Sequence, residues 1–444
     1  MNLHATVSRH SHAGPRRDVR LDRLTVGWQD ASGAATLREH VAIYGRIPEA
    51  GSQDALIEEV AAAGLTGRGG AGFPTGVKMR TVASKRGPAV VVANGMESEP
   101  ASEKDQALLA RAPHLVLDGI ALAAEAVGAR AAHLCLARTR GWLIDIVLAA
   151  VEERQRADLD AVLVSVHEVP HHYVSSEETS LVQWLNGGEA KPMNTPPRPF
   201  ERGVGKRPTL IDNVETLAHI ALIARYGARW FREAGYGNAA GTMLTTVSGA
   251  VAQPGVYEIA AGSELGDVLA MVGADPAAEA VLIGGYFGTW HEIREVGHLP
   301  FTMNGLRSVG GSPGAGILYV LPPDACGLGE AARILRYLAC QSAQQCGPCM
   351  FGLPAIADDL SQLASIRPEG DPLGRMQRRF GQIAGRGACR HPDGAVRMAA
   401  SALRTFGQDA HAHARRRACL ASPRPGQHAS MMAVPRPVAA EGWR

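Results

Sequence analysis

Between residues 89 and 166 the chain alternates short β-rich runs with helical patterns, and this alternation limits its fold more than any other feature. The runs at 89–93, 132–137 and 161–166 have strand length and strand composition, while 103–111, 115–128 and 141–155 repeat apolar residues at helical spacing. Parallel strands need a crossover of a dozen residues or more, which a helix supplies. The segment therefore predicts an α/β fold, a parallel sheet with covering helices.

After residue 240 the texture changes. TMLTTVSGAVAQPGVYEIAAG reads as two strands around a Gln-Pro-Gly turn, followed by a helix over 264–272 and a glycine-broken strand near 282–286. This predicts a separate small β-rich domain. From residue 327 helical patterns return, in GEAARILRYLACQ and GAVRMAASALRTFG, and predict a helical bundle that holds most of the cysteines. Residues 1–36 and 416–444 lack apolar periodicity and are rich in His, Arg, Pro and Gly, so both ends are expected to be disordered. No internal repeat is visible.

Composition narrows the function classes. Lys plus Arg number 45 against 43 Asp plus Glu, so no long-range field favours nucleic acid or an anionic membrane surface, and function must come from local sites. The opening residues show no apolar signal segment, and the most apolar stretch, 114–137, is interrupted by Asp118, Glu125 and Arg130. A soluble cytoplasmic protein without direct membrane insertion is expected. In that reducing compartment the close pair Cys346 and Cys349 points to a metal or redox motif rather than a disulfide.

Residues 67–78 pack five glycines and two cations, Arg68 and Lys78, into twelve positions. Without Cβ atoms the backbone N–H groups can approach a phosphate closely. Neither the P-loop ending nor the dinucleotide G-x-G-x-x-G register is present. A bare glycine run is equally compatible with a flexible surface loop.

The whole string nevertheless resembles the flavin loop of the NADH-binding, FMN-containing subunit of respiratory complex I and of related hydrogenases and formate dehydrogenases. Three further segments carry the resemblance in the same order: Asn94-Gly95-Met96-Glu97-Ser98-Glu99-Pro100, Tyr173-Val174-Ser175-Ser176-Glu177-Glu178-Thr179, and Ile211-Asp212-Asn213-Val214-Glu215-Thr216. The resemblance implies a Rossmann-like flavin-binding domain at 37–240, a ubiquitin-like (β-grasp) domain at 241–320 and a helical iron–sulfur domain at 321–415. It further implies that the isoalloxazine accepts hydride from NADH and passes electrons singly to a nearby [4Fe-4S] cluster, with no catalytic side-chain acid or base. By the same resemblance, the cofactor-binding residues are Gly67, Arg68, Gly69, Gly70, Phe73, Lys78, Asn94, Glu97, Ser98, Tyr173, Glu177, Glu178, Asn213 and Thr216. The implied partner is a thioredoxin-like [2Fe-2S] subunit, a ferredoxin or a membrane reductase.

Family members hold the cluster with Cys-x-x-Cys-x-x-Cys and a fourth cysteine some forty residues later. Here the register gives Ala343, Cys346, Cys349 and Cys389, three thiolates of four. Cys340 lies three residues earlier, about 4.5 Å along a helix axis, and is expected to supply the fourth. His391, water or an open iron are the alternatives.

Other departures fall at the flavin and dinucleotide positions. Met96 stands for an aspartate, Ser176 for a glycine and Asp212 for an asparagine, while Thr81, Thr195 and Arg198 replace two rings and a cation of the family pattern. Two readings follow: an electron-transfer flavoprotein subunit, or a family member that keeps the fold and cluster without oxidising NADH.

Overall fold

A computed structural model describes residues 19–28, 33–48, 52–419, 432, 434–435 and 442–444. The run Ala89–Gly95 forms β1. Its three consecutive valines are buried on both faces, the position such an uninterrupted apolar run requires. It pairs in parallel with β2 (Ala129–Ala137) and with β4 (Thr209–Asn213), and β2 pairs with β3 (Val164–Val169), giving the order β3-β2-β1-β4. The chain thus moves outward from β1 to β3 and then returns to the other side of β1. Ligands of open α/β sheets bind at such a reversal, beyond the carboxyl ends of the strands.

The helices Lys104–Arg111, Pro113–Ala126 and Gly141–Arg156 lie close to the expected spans. The apolar helix Pro113–Ala126 is a core element that packs against Val214–Glu233. A Cβ on Gly119 would come within 1.9 Å of the Leu217 carbonyl oxygen, so glycine permits that approach. No single helix among the described residues is long and apolar enough to cross a membrane.

The second sheet contains β5 (Thr242–Gly249), β6 (Gly255–Ala260), β7 (Ala280–Ile283), β8 (Thr289–Glu292) and β9 (Ile317–Val320) in the order β6-β5-β9-β7-β8. Only β5 and β9 run parallel; the other pairs are antiparallel, as in a β-grasp. Helices Gly327–Cys340, Leu353–Ala364, Pro372–Ile383, His391–Thr405 and Gly407–Ala414 build the last unit. Its apolar core also takes in Tyr173 from the first unit and Tyr286 and Trp290 from the second, so the three parts share one interior.

The expected disorder at both ends needs correction where the chain is described. Leu24 is fully buried, and the amides of Arg23, Leu24 and Thr25 converge on the Glu258 carboxylate at 2.8, 2.7 and 3.1 Å. A buried carboxylate requires such donors, and residues 19–28 provide them. Thr36 and Glu39 form a capping box that starts Leu37–Tyr44. At the other end, Trp443 stacks on His172 at 3.8 Å and the Met432 amide donates to Glu330. His172 is buried under that ring. The remaining residues of the expected disordered segments lie outside the described residues.

Candidate functional site

The glycine loop is closed at its neck. Thr66 and Pro74 form a β-bridge and the Gly67 amide donates to the Phe73 carbonyl at 2.8 Å. The Arg68 amide donates to Thr216 Oγ1 at 2.9 Å, which ties the loop to the first turn of Val214–Glu233. Among the described residues, the amides of Gly69, Gly70, Ala71 and Gly72 make no hydrogen bond of ordinary length and angle. Gly70 has φ +114°, a conformation that side-chain-bearing residues rarely adopt. The loop is thus a row of open N–H donors at the sheet's reversal point, which fits an anionic or carbonyl-bearing cofactor.

The side chain of Arg68 does not join this row. Its guanidinium donates to Thr66 and to the Thr242 carbonyl and lies 3.7 Å from Glu215. Lys78 donates to the Ile211 carbonyl and pairs with Asp212 Oδ1 at 3.2 Å. Burial raises the Asp212 pKa and Lys78 opposes the rise, so the carboxylate at this position is offset by the neighbouring cation.

Motif residues at the strand ends converge. Asn94 donates to the Ser176 carbonyl at 2.8 Å, and Ser98 donates to the Tyr173 carbonyl at 2.7 Å. Asn213 caps Val214–Glu233 by accepting from the Glu215 amide, and its amide nitrogen donates to Asp105 at 2.6 Å. Glu177 caps Glu178–Leu185 by accepting from the Thr179 and Ser180 amides; burial raises its pKa. Glu97 is turned away from this convergence: it receives the Asp105 and Gln106 amides, Ser102 and Arg140, anchoring the helix Lys104–Arg111. Phe73 is 54% exposed at the loop tip, and Glu178 is half-buried at the first turn of its helix.

Lys104 is a polar centre that no sequence motif singles out. It is fully buried, with Nζ at 2.6 Å from Asp105, 2.8 Å from Glu215 and 3.1 Å from Asn213. Burial pushes Glu215 upward, but Lys104, His219 and Arg68 outweigh that and hold it near 2. The available signal was a Lys-Asp pair directly after the 94–100 segment and the glutamate inside 211–216. A cleft of about 860 Å³, lined by Gly67, Arg68, Gly70, Gly72, Phe301, Met303 and Gly314 among others, opens where the loop faces the β-grasp unit. That volume lies within the range of ligand pockets.

Cys346, Cys349 and Cys389 come together. Cys349 sits on a π-helical turn, Pro348–Gly352, and burial raises its thiol, with Cys346 and Cys389 adding to the rise and the Ser342 hydroxyl opposing it. The Tyr173 ring lies 5.7 Å from that of His391, two residues beyond Cys389, so a flavin-motif segment packs against the cluster-motif segment, and Glu177 acts electrostatically on Cys389. Cys340 ends the helix Gly327–Cys340 exposed to solvent, while Ala343, in the family register, packs against the same core as Cys346. His391 is buried with Nε2 at 2.8 Å from the Leu338 carbonyl; burial lowers its pKa to about 4, leaving it neutral.

A model of the Nuo51 FMN-binding domain matches residues 60–222, and one of the NADH-ubiquinone oxidoreductase-F iron-sulfur binding region matches residues 329–413. The F subunit of the NADH-quinone oxidoreductase of Streptomyces coelicolor is 31% identical over 382 residues, covering 82% of this chain and 84% of that protein. The chain belongs to the family of NADH-quinone oxidoreductase F subunits. In Rhizobium meliloti, the F 2 subunit of the same enzyme is 29% identical over 90% of this chain and 97% of that protein. A chain of the crystal structure of NAD+-reducing [NiFe]-hydrogenase in the H2-reduced state superposes with TM-score 0.77 at 31% identity, covering 82% of this chain and 63% of that one.

As a member of that family, the chain is an oxidoreductase subunit with an FMN-binding and an iron–sulfur-binding region. Several of its departures from the family pattern are absorbed locally. Met96 is fully buried among apolar side chains, the Ser176 hydroxyl bonds Ser98, and Asp212 is paired with Lys78. Thr81 bonds back to the Val77 carbonyl within its own helix, and the Arg198 amide donates to Glu201. Neither replaces a missing ring.

Proposed function

We propose that this chain oxidises NADH at FMN and passes the electrons through an iron–sulfur cluster to a partner protein. The observation that carries this reading is the contact between the rings of Tyr173 and His391, 5.7 Å apart, which joins the two separately matched regions two residues from Cys389. When bound, FMN supplies the two-electron acceptance and one-electron release that no side chain here can provide.

The residues present suit that group. The open amides of Gly69, Gly70, Ala71 and Gly72, with Asn94, Asn213 and Thr216 at the strand ends, would hold FMN, and Lys78 would balance its charge. Phe73 offers its exposed face to the adenine of NADH, and Glu178 disfavours a 2′-phosphate, which selects NADH over NADPH. Cys346, Cys349 and Cys389 would hold three irons of a cubane, with the fourth corner on the Ala343 side. Met350 and Phe351 are exposed beside Cys349, on the surface where a [2Fe-2S] subunit, ferredoxin or membrane reductase would receive electrons. Cluster thiolates of this kind belong to a reducing cytoplasm.

NADH-dependent reduction of ferricyanide by the purified chain tests the reading. Turnover that is lost when flavin is stripped and restored by FMN supports it. Retained flavin and cluster without NADH turnover favours the relay-only alternative, for which Thr81 and Arg198 speak because they leave Phe73 as the one exposed ring of the family's clamp.

A further inference from the structure

Apart from the cluster cysteines, Cys326, His413 and Cys419 converge inside the helical unit. One ligand atom of each lies within 4.8 Å of the others, and all three residues are buried. Cys326 is the residue before the helix Gly327–Cys340, and its thiol interacts with that of Cys419. Neither cysteine is in a disulfide. His413 Nδ1 lies 3.1 Å from the Leu363 carbonyl, which fixes that nitrogen as the donor and leaves Nε2 with the lone pair. Nε2 accepts a hydrogen bond from the Cys419 backbone amide at 3.3 Å. Asp409 lies one turn before His413 on the helix Gly407–Ala414 and interacts electrostatically with both His413 and Cys419.

We propose that Cys326, His413 and Cys419 bind a zinc ion, which fastens residues 415–419 to the start of the helical unit. Two thiolates and an imidazole suit Zn2+, with a water completing the tetrahedron. A ligating histidine characteristically donates its other ring N–H to a carbonyl, the role Leu363 plays here. Binding releases the two thiol protons to solvent, and the metal takes the Nε2 lone pair from the Cys419 amide.

Metal analysis of the purified full chain, with zinc and iron measured together, tests this. About one zinc per chain is expected beyond the iron, with Cys419→Ser losing the zinc and keeping both the iron and its visible spectrum. Because Cys326→Ser could disturb the helix start, His413→Gln serves as the second variant and should release zinc to a chelator more readily. Co2+ added to the chelator-treated chain should give thiolate charge-transfer bands that are absent in Cys419→Ser. A zinc-free chain that takes up no Co2+, a Cys326–Cys419 disulfide, or zinc retention unaffected by Cys419→Ser would each overturn the proposal.

Discussion

The Tyr173 phenol donates to the Glu99 carboxylate at 2.7 Å, and this bond lies between the flavin segments and the cluster unit. The Tyr173 ring is 5.7 Å from His391, two residues beyond Cys389, and the Tyr286 amide donates to the same carboxylate at 2.9 Å. Burial pushes Glu99 up to about 7, against the opposing hydrogen bonds from Tyr173, Tyr286 and Ala101.

A pH dependence follows. The folded chain keeps the Glu99 proton up to about pH 7, whereas the unfolded chain releases it near the ordinary value of 4.5. This group's contribution to stability is therefore fully present below pH 4.5 and is lost as pH rises to 7. Thermal unfolding of the wild type should show Tm falling across that window, and Glu99→Gln should flatten the fall. An unchanged slope in Glu99→Gln would place the titrating group elsewhere.

For the pair Lys78 and Asp212, the expected effects have opposite signs. Asp212→Asn frees the lysine charge for the cofactor and should tighten flavin retention by on the order of 1 kcal/mol, roughly fivefold. Lys78→Ala leaves Asp212 buried without its cation and should cost about 3 kcal/mol of stability while weakening flavin. Equilibrium dialysis against FMN, with urea unfolding alongside, measures both. Weaker flavin binding in Asp212→Asn would contradict the charge-balance argument.

Gly70→Val tests the open amides. The substitution forces a branched residue to φ +114°, a strain of about 1–3 kcal/mol, and crowds the approach to the loop. Flavin content should fall at least about tenfold in a chain that remains folded by circular dichroism. Full flavin content in folded Gly70→Val would remove the loop from the site.

Cys340 and Ala343 make the fourth corner of the cluster testable. Cys340→Ala should leave iron content and visible spectrum unaltered, since its side chain is exposed at the helix end. Ala343→Cys should slow loss of iron in air, while Cys346→Ala, Cys349→Ala and Cys389→Ala each strip the cluster. Iron loss in Cys340→Ala would show that the helix end unwinds to ligate.

What was readable from the sequence depended on how local the cause was. The run at 89–93 and the helix after it have local patterns, and the structure places them within two residues. The strand expected at 161–166 lies at Val164–Val169, because β3 at the sheet edge is only partly buried and its apolar pattern is weak. The strand Thr209–Asn213 carries an ionisable Asp212, so its apolar run is too short to announce itself; its partner β1 makes it a strand. Asp118 was visible only as a break in an apolar stretch, yet it pairs with Arg154 at 2.6 Å, His40 at 2.7 Å and Arg225, all from distant segments. The position of Cys340 could not be read from spacing, because it depends on whether the helix ends before or after it.

The most direct test of the account is an anaerobic titration of the purified chain with NADH, followed by visible absorbance and electron paramagnetic resonance. The flavin band is expected to bleach and a reduced-cluster signal to rise with it, because the flavin and cluster segments meet at Tyr173 and His391. Flavin and cluster that both remain oxidised under NADH, yet are reduced by dithionite, would contradict it.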